Sequence, residues 1–152
     1  DKFGVPFYKG EKPWGIKVDI AMPCATQNEI GIKEAKQIIA NGTKYYIEVA
    51  NMPTTEEALN FLIDRKEVIV APSKAVNAGG VCVSGLEMSQ NSQRLSWTAE
   101  EVDEKLHNAM INIHKHSVEA AEKYGLGYDL VAGANIAGFE KVAEAMMAQG
   151  IY

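Results

Sequence analysis

The sequence predicts an α/β fold: a parallel sheet flanked by helices and followed by long C-terminal helices. Three observations carry this. Residues 16–21 (IKVDIA), 44–50 (KYYIEVA) and 68–71 (VIVA) are short runs rich in β-branched and aromatic types. Pro23, Pro53 and Pro72 follow them, and proline cannot continue a central strand. Helical stretches separate the runs, and strands that alternate with helices pair in parallel.

Each element follows in order. Met22-Pro23-Cys24-Ala25 ends the first strand, and Thr26 stands three residues before Glu29, the spacing of a capping box. The next helix runs through Ile30, Ala35 and Ile38-Ile39. It closes at Asn41-Gly42, where glycine is free to take a left-handed cap. Thr54 and Glu57 repeat the capping spacing before a short helix over 57–65. The third strand leads into a small-residue loop, 73–80, and then a helix near 81–95. Parallel crossovers are right-handed, so all three loops leave one edge of the sheet. That places Thr26, Asn51, Asn77 and Ser84 around a single crevice. Thr98 and Glu101 make a third capping box, and Val102, Leu106, Ala109, Ile113 and Ala120 follow at helical spacing. Tyr124-Gly125-Leu126-Gly127 stops this long helix. A last helix is expected after Asn135, burying Ile136, Phe139, Val142, Ala143 and Met146.

Composition narrows the function classes. The chain has 152 residues, 47% of them apolar and 23% charged, which is enough for one core. The net charge of -5 and the lack of a basic patch argue against nucleic acid. No run approaches the ~20 apolar residues of a membrane span. Residues 1–10 lack the basic start and apolar core of a signal peptide, and residue 1 is not Met, so a cut or processed start is expected. Cys24 and Cys82 form no Cys-x-x-Cys pair, and two buried thiols in a reduced, cytoplasmic compartment are expected. His107, His114 and His116 lack the spacing of helical zinc ligands, so no metal site is expected. Met88, Met110, Met146 and Met147 read as core filler.

Two loop ends carry residues suited to a ligand. Asn77 and Ser84 bracket Gly79-Gly80, where the backbone can approach a ligand and amides can sit at a helix N-terminus. The same pattern also fits a tight turn with a capping serine. Asn51 both donates and accepts, which suits a ribose or a carboxamide; it equally fits an Asx turn that ends a strand. No Gly-x-Gly-x-x-Gly fingerprint, P-loop or Ser-His-Asp set with an elbow motif is present. A doubly wound sheet has about six strands, and three are readable. The chain therefore reads as the second half of a Rossmann-like doubly wound nucleotide-binding domain.

Four stretches resemble one family, in its order and spacing. They are 19–29 (DIAMPCATQNE), 50–55 (ANMPTT), 77–87 (NAGGVCVSGLE) with Met88-Ser89-Gln90-Asn91 behind it, and 133–141 (GANIAGFEK). Together they resemble the C-terminal portion of the hexameric glutamate dehydrogenases, within the Glu/Leu/Phe/Val dehydrogenases. The resemblance implies oxidative deamination of L-glutamate to 2-oxoglutarate and ammonia, with hydride passed to NAD or NADP. It implies that Ser84 holds the substrate side-chain carboxylate and that Val81 lines that pocket. Asn77 would stand near nicotinamide and substrate, Asn51 near the nicotinamide ribose, and Ala25, Thr26 and Gln27 along the cofactor. Val49 departs from the family, where Gly or Ala is frequent.

Nothing in the chain matches the family's catalytic lysine and aspartate or its glycine-rich first turn, and Lys74 is not assigned that role. Residues 1–96 are expected to be a partial nucleotide-binding domain. Residues 97–152 are expected to be a helical segment linking back to a substrate domain outside the chain. The implied assembly is a homo-hexamer, and the fragment alone is expected to be inactive. The competing reading is a free-standing ligand-binding or interaction module of this fold without catalysis.

Overall fold

The computed structural model describes residues 4–150. Three parallel strands, β1 (Ile20–Ala21), β2 (Tyr45–Ile47) and β3 (Ile69–Ala71), lie in the order β1-β2-β3. Helix α1 (Ile32–Ala40) joins β1 to β2, and α2 (Glu56–Ile63) joins β2 to β3. Register sets Ala21 beside Tyr46 and Tyr46 beside Val70. These three are buried and form the floor on which Ile30, Ala35, Ile38, Ala58 and Leu62 pack. The alternate row, Ile20, Tyr45 and Ile69, is also in register but stays exposed. A strand points successive side chains to opposite faces, so among the described residues helices cover one face of this sheet and leave the row of Ile20, Tyr45 and Ile69 open.

Each helix boundary has a local cause, and some differ from expectation. Thr26 does not cap α1. Its loop runs on to Gly31, whose N–H donates to Glu34 Oε2 at 3.0 Å, while Glu29 folds back on the Thr26 N–H at 3.3 Å. Thr54 does not cap α2 either, because its side chain points into the core. Thr55 occupies the N-cap position of that helix. The expected 73–80 loop is mostly helical: α3 (Ser73–Val76) is followed after Asn77 by α4 (Ala78–Gln93).

The long helix α5 (Ala99–Lys123) starts as expected at Thr98, whose Oγ1 accepts from the Glu101 N–H while Glu101 accepts from the Thr98 N–H. It stops at Gly125 (φ 72°), where the Leu126 N–H returns to Ala121 O. Helix α6 (Leu130–Gln149) begins earlier than expected, because Asp129 Oδ1 accepts from the Val131 and Ala132 N–H groups. Its burial also differs. Phe139 is 69% exposed, and Val142 and Met146 are exposed with it. Small residues make the seam instead: Gly133 packs against Ser117 and Ala121 of α5. Close backbone approach needs small side chains, so the bulky ones turn outward. Met88, Met146 and Met147 are exposed rather than core and Cys82 is half-buried, because α4 and α6 each present a free face, and Cys24 is exposed on the loop after β1. Among the described residues, no helix is long and apolar enough to cross a membrane.

A Cβ on Gly133 would sit 1.9 Å from Ser117 O, whereas one on Gly138 would meet nothing within 4 Å. Gly133→Ala is expected to lower stability by about 2–3 kcal/mol through overpacking. Gly138→Ala is expected to raise it by about 0.5–1 kcal/mol through helix propensity. Denaturant melts of the two variants read this, and equal midpoints would refute the close-packed seam.

Candidate functional site

The carboxyl ends of the strands bring three loops together. The Asn28 N–H donates to Met52 O at 3.0 Å, and the Ile30 N–H to Pro53 O at 2.9 Å. Ile30 and Thr54 form an isolated parallel bridge. The Val49 and Ala50 N–H groups donate to Pro23 O at 3.2 and 2.9 Å. Loop 22–31 and loop 48–55 are therefore one bonded unit. Asn28 (φ 55°) and Met52 (φ 44°) take left-handed backbone where these loops meet, a conformation that side chains other than glycine adopt at a cost.

The third loop joins through Asn77. Its Nδ2 donates to Asn51 Oδ1 at 2.7 Å. The structure thus unites two of the residues singled out by sequence. Asn51 Nδ2 and Asn77 Oδ1 have no partner among the described residues, so the pair presents one donor and one acceptor outward. Ala25, Thr26 and Gln27 are exposed on the adjoining loop, beside the Asn28–Met52 junction. Ser84 does not lie at a loop end. It sits inside α4, and its hydroxyl donates back to Gly80 O at 3.2 Å, so it is not a capping serine. Asn77, Val81 and Ser84 are spaced i, i+4, i+7 and share one stripe of the helix. Val81 is 72% exposed and Ser84 is exposed. Gly79 and Gly80 lie in the first turn of α4, and Gly79 packs close to Leu106 and Met110 of α5. The stripe begins at the sheet edge and ends in solvent, as an open wall.

Behind the wall lies a polar cluster that sequence reasoning missed. Glu48 follows β2 and is 3% exposed. Its Oε1 accepts from the Thr54 hydroxyl at 2.5 Å, and its Oε2 from the Ser73 N–H at 3.1 Å. Tyr46 Oη lies 2.6 Å from Thr54 Oγ1. The only hydroxyl proton of Thr54 goes to Glu48, so Tyr46 is the donor in that pair. Burial pushes the Tyr46 phenol well above its ordinary 10.0. The available signal was the polar Glu48 at the end of an apolar run. Lys74 reaches across to Asn135 Oδ1 and ties α3 to α6. A cavity of about 580 Å³ lies at the other, amino end of β3, lined in part by Arg65, Tyr128 and Asp129. It is remote from the loops just described.

Parallel strands in consecutive order, crossover helices on one face and converging carboxyl-end loops define the second half of a Rossmann-like doubly wound sheet. The particular family follows from comparison: the chain belongs to the Glutamate/Leucine/Phenylalanine/Valine dehydrogenase family, whose model matches residues 2–150. It is 72% identical over 151 residues to an NAD-specific glutamate dehydrogenase of Clostridium symbiosum, covering 99% of this chain and 34% of that protein. It is 52% identical to an NADP-specific glutamate dehydrogenase of Haemophilus influenzae, covering 100% and 34%. A solved glutamate dehydrogenase structure superposes with a TM-score of 0.95 at 72% identity, covering 99% of this chain and 33% of that one. A hetero-hexameric glutamate dehydrogenase from Thermus thermophilus gives 0.82 at 27% identity, covering 91% and 32%. The chain spans about a third of the length of the curated relatives it matches.

Tyr46→Phe is expected to cost about 1 kcal/mol at neutral pH, one buried hydrogen bond. Thr54→Val strands both Glu48 Oε1 and the Tyr46 hydroxyl and is expected to cost more, up to about 3 kcal/mol. The phenol's folded pKa is raised, so its share of stability is complete below pH 10.0 and is lost as pH rises beyond it. Tyr46→Phe should flatten that alkaline limb in a stability-versus-pH series. An unchanged limb would place the buried phenol outside the alkaline transition.

Proposed function

We propose that this chain is the C-terminal third of a nicotinamide-dependent glutamate dehydrogenase. The observation that carries the reading is the Asn77–Asn51 bond at the sheet's carboxyl edge, with Val81 and Ser84 continuing the same stripe, in a chain of this family. The donor and acceptor left free on the asparagine pair fit a ribose hydroxyl or a carboxamide. When bound, NAD or NADP accepts hydride from glutamate or returns it to the imino acid formed from 2-oxoglutarate and ammonia.

The chain's residues hold and orient. Asn51 would hold the nicotinamide ribose, and Asn77 would stand near nicotinamide and substrate. Ala25, Thr26 and Gln27 border the cofactor. Ser84 turns its hydroxyl from Gly80 O toward the side-chain carboxylate of glutamate, with Val81 against the substrate's methylenes. Holding two reactants in line supplies much of the rate in hydride transfer. Among the described residues the open stripe has no facing wall. A substrate domain elsewhere in the longer protein supplies that wall and the lysine and aspartate for proton transfer. Residues 1–96 form the cofactor-side half domain, and residues 97–152 return to the substrate domain. Assembly as a homo-hexamer in the cytoplasm completes the reading.

The test is glutamate-dependent reduction of NAD and NADP by the longer protein that contains this chain, and its absence would overturn the reading. Ser84→Ala removes a hydrogen bond to a charged group, worth about 1.5–3 kcal/mol. It should lower kcat/KM for glutamate about 10- to 100-fold while sparing smaller, uncharged amino acids. An unchanged substrate preference would remove Ser84 from carboxylate recognition. The isolated 152-residue chain should show no turnover, and measurable activity in a pure sample would contradict the placement of the proton-transfer groups outside it.

A further inference from the structure

Glu48 is a buried acid, and no described cation forms an ion pair with it. Burying a polar group is costly unless it is hydrogen-bonded, and an apolar side chain would fill the same space without that cost. What Glu48 supplies is two acceptor oxygens on a rigid strand end, each held by a different loop. Oε1 takes the Thr54 hydroxyl, three residues beyond Asn51. Oε2 takes the Ser73 N–H, four residues before Asn77. The Asn77 N–H donates to Ser73 O at 2.8 Å, and Asn77 Nδ2 donates to Asn51 Oδ1 at 2.7 Å. The bonds close a ring: Glu48, Ser73, Asn77, Asn51, and back along the chain through Thr54. Glu48 touches neither asparagine, yet both of its anchors lie within one turn of them. The other ties between these loops are backbone bonds that join the β1 and β2 loops and do not reach the β3 loop, which Lys74 ties to α6 instead. The Glu48 N–H reaches Ala71 O, before that loop begins.

We propose that Glu48 is a positioning residue for the nicotinamide end of the cofactor site. It fixes the separation of the Asn51 and Asn77 loops by accepting from both at once. The inference rests on the placement of those asparagines in the preceding subsection. Glutamine fills almost the same volume but cannot accept from both donors. Its single oxygen goes to the Ser73 N–H, whose hydrogen cannot turn. Its NH2 then meets Thr54 Oγ1, and one of the two hydroxyl protons, that of Thr54 or that of Tyr46, is left without an acceptor.

The experiment uses the full-length enzyme and two probes, reduced nicotinamide cofactor (NADH and NADPH) and ADP, which carries only the adenosine end. Glu48→Gln should weaken the reduced cofactor about tenfold and change ADP less than twofold. In an Asn77→Ala background, Glu48→Gln should add less than a further twofold, because effects routed through one contact do not add. Ser73→Pro serves as an independent variant. It removes the N–H that Glu48 holds, at the first position of a helix, where proline is accepted. Pro72 before it already has the extended backbone that a following proline requires. It should reproduce the loss even where Glu48→Gln folds poorly. Equal weakening of NADH and ADP, no weakening in either variant, or full additivity with Asn77→Ala would each overturn the inference. An unmodified enzyme that binds neither reduced cofactor overturns the functional reading and this inference together. Normal binding that the variants do not alter overturns the inference alone.

Discussion

Tyr46 is where the apolar and polar halves of this structure meet. Its ring is fully buried in the middle strand, between Ala21 and Val70, and supports the layer of α1 and α2. A phenol at that depth must find a partner, because an unsatisfied buried hydroxyl costs as much as a lost hydrogen bond. The partner is Thr54, and Thr54 passes its own proton to Glu48. One core side chain thereby brings a threonine and a glutamate inward from the loops, and the glutamate in turn draws in the start of α3. The crevice edge is held by the partners that the buried Tyr46 hydroxyl and Glu48 carboxyl take up.

Much of the architecture was legible in the sequence, and the reasons are local. Pro23, Pro53 and Pro72 mark the strand ends whatever the tertiary context. Thr98 and Glu101 cap α5 because that helix begins in solvent, where only the cap competes for its first N–H groups. The same pattern failed at Thr26 and Thr54. Thr54 is claimed by a buried glutamate, and the loop holding Thr26 by bonds to a neighbouring loop, which short-range spacing cannot register. Helix α6 misled in a different way. Its large apolar residues implied a buried face, yet the seam belongs to Gly133 against Ser117 and Ala121. Glycine carries little weight in a periodicity count and the most weight where two backbones touch.

Of the site, the asparagines were legible because their loops end strands. Their mutual bond depends on the register of β2 against β3, which no sequence pattern fixes. Ser84 was found through the family resemblance rather than through its surroundings, since a serine that bonds back to Gly80 O is common within a helix. Glu48 reads in the sequence as an ordinary residue of the second strand. The bare row of Ile20, Tyr45 and Ile69 agrees with the coverage of about a third of each relative. Parallel sheets are normally covered on both faces, and this row is the surface that a second cover would bury.

The α5–α6 seam has a mechanical consequence. Two helices that touch backbone to backbone at Gly133 cannot slide past each other without lifting apart. A further brace lies beyond that point, where Lys123 Nζ meets Glu140 Oε1 at 2.5 Å and Tyr124 Oη meets the same oxygen at 3.0 Å. The pair is therefore a stiff strut. Lys74 bolts the strut to α3 through Asn135, one turn from Asn77. The α5–α6 pair is thereby joined in space to the short helix that ends at Asn77, so the asparagine pair and the helical strut share one point of attachment.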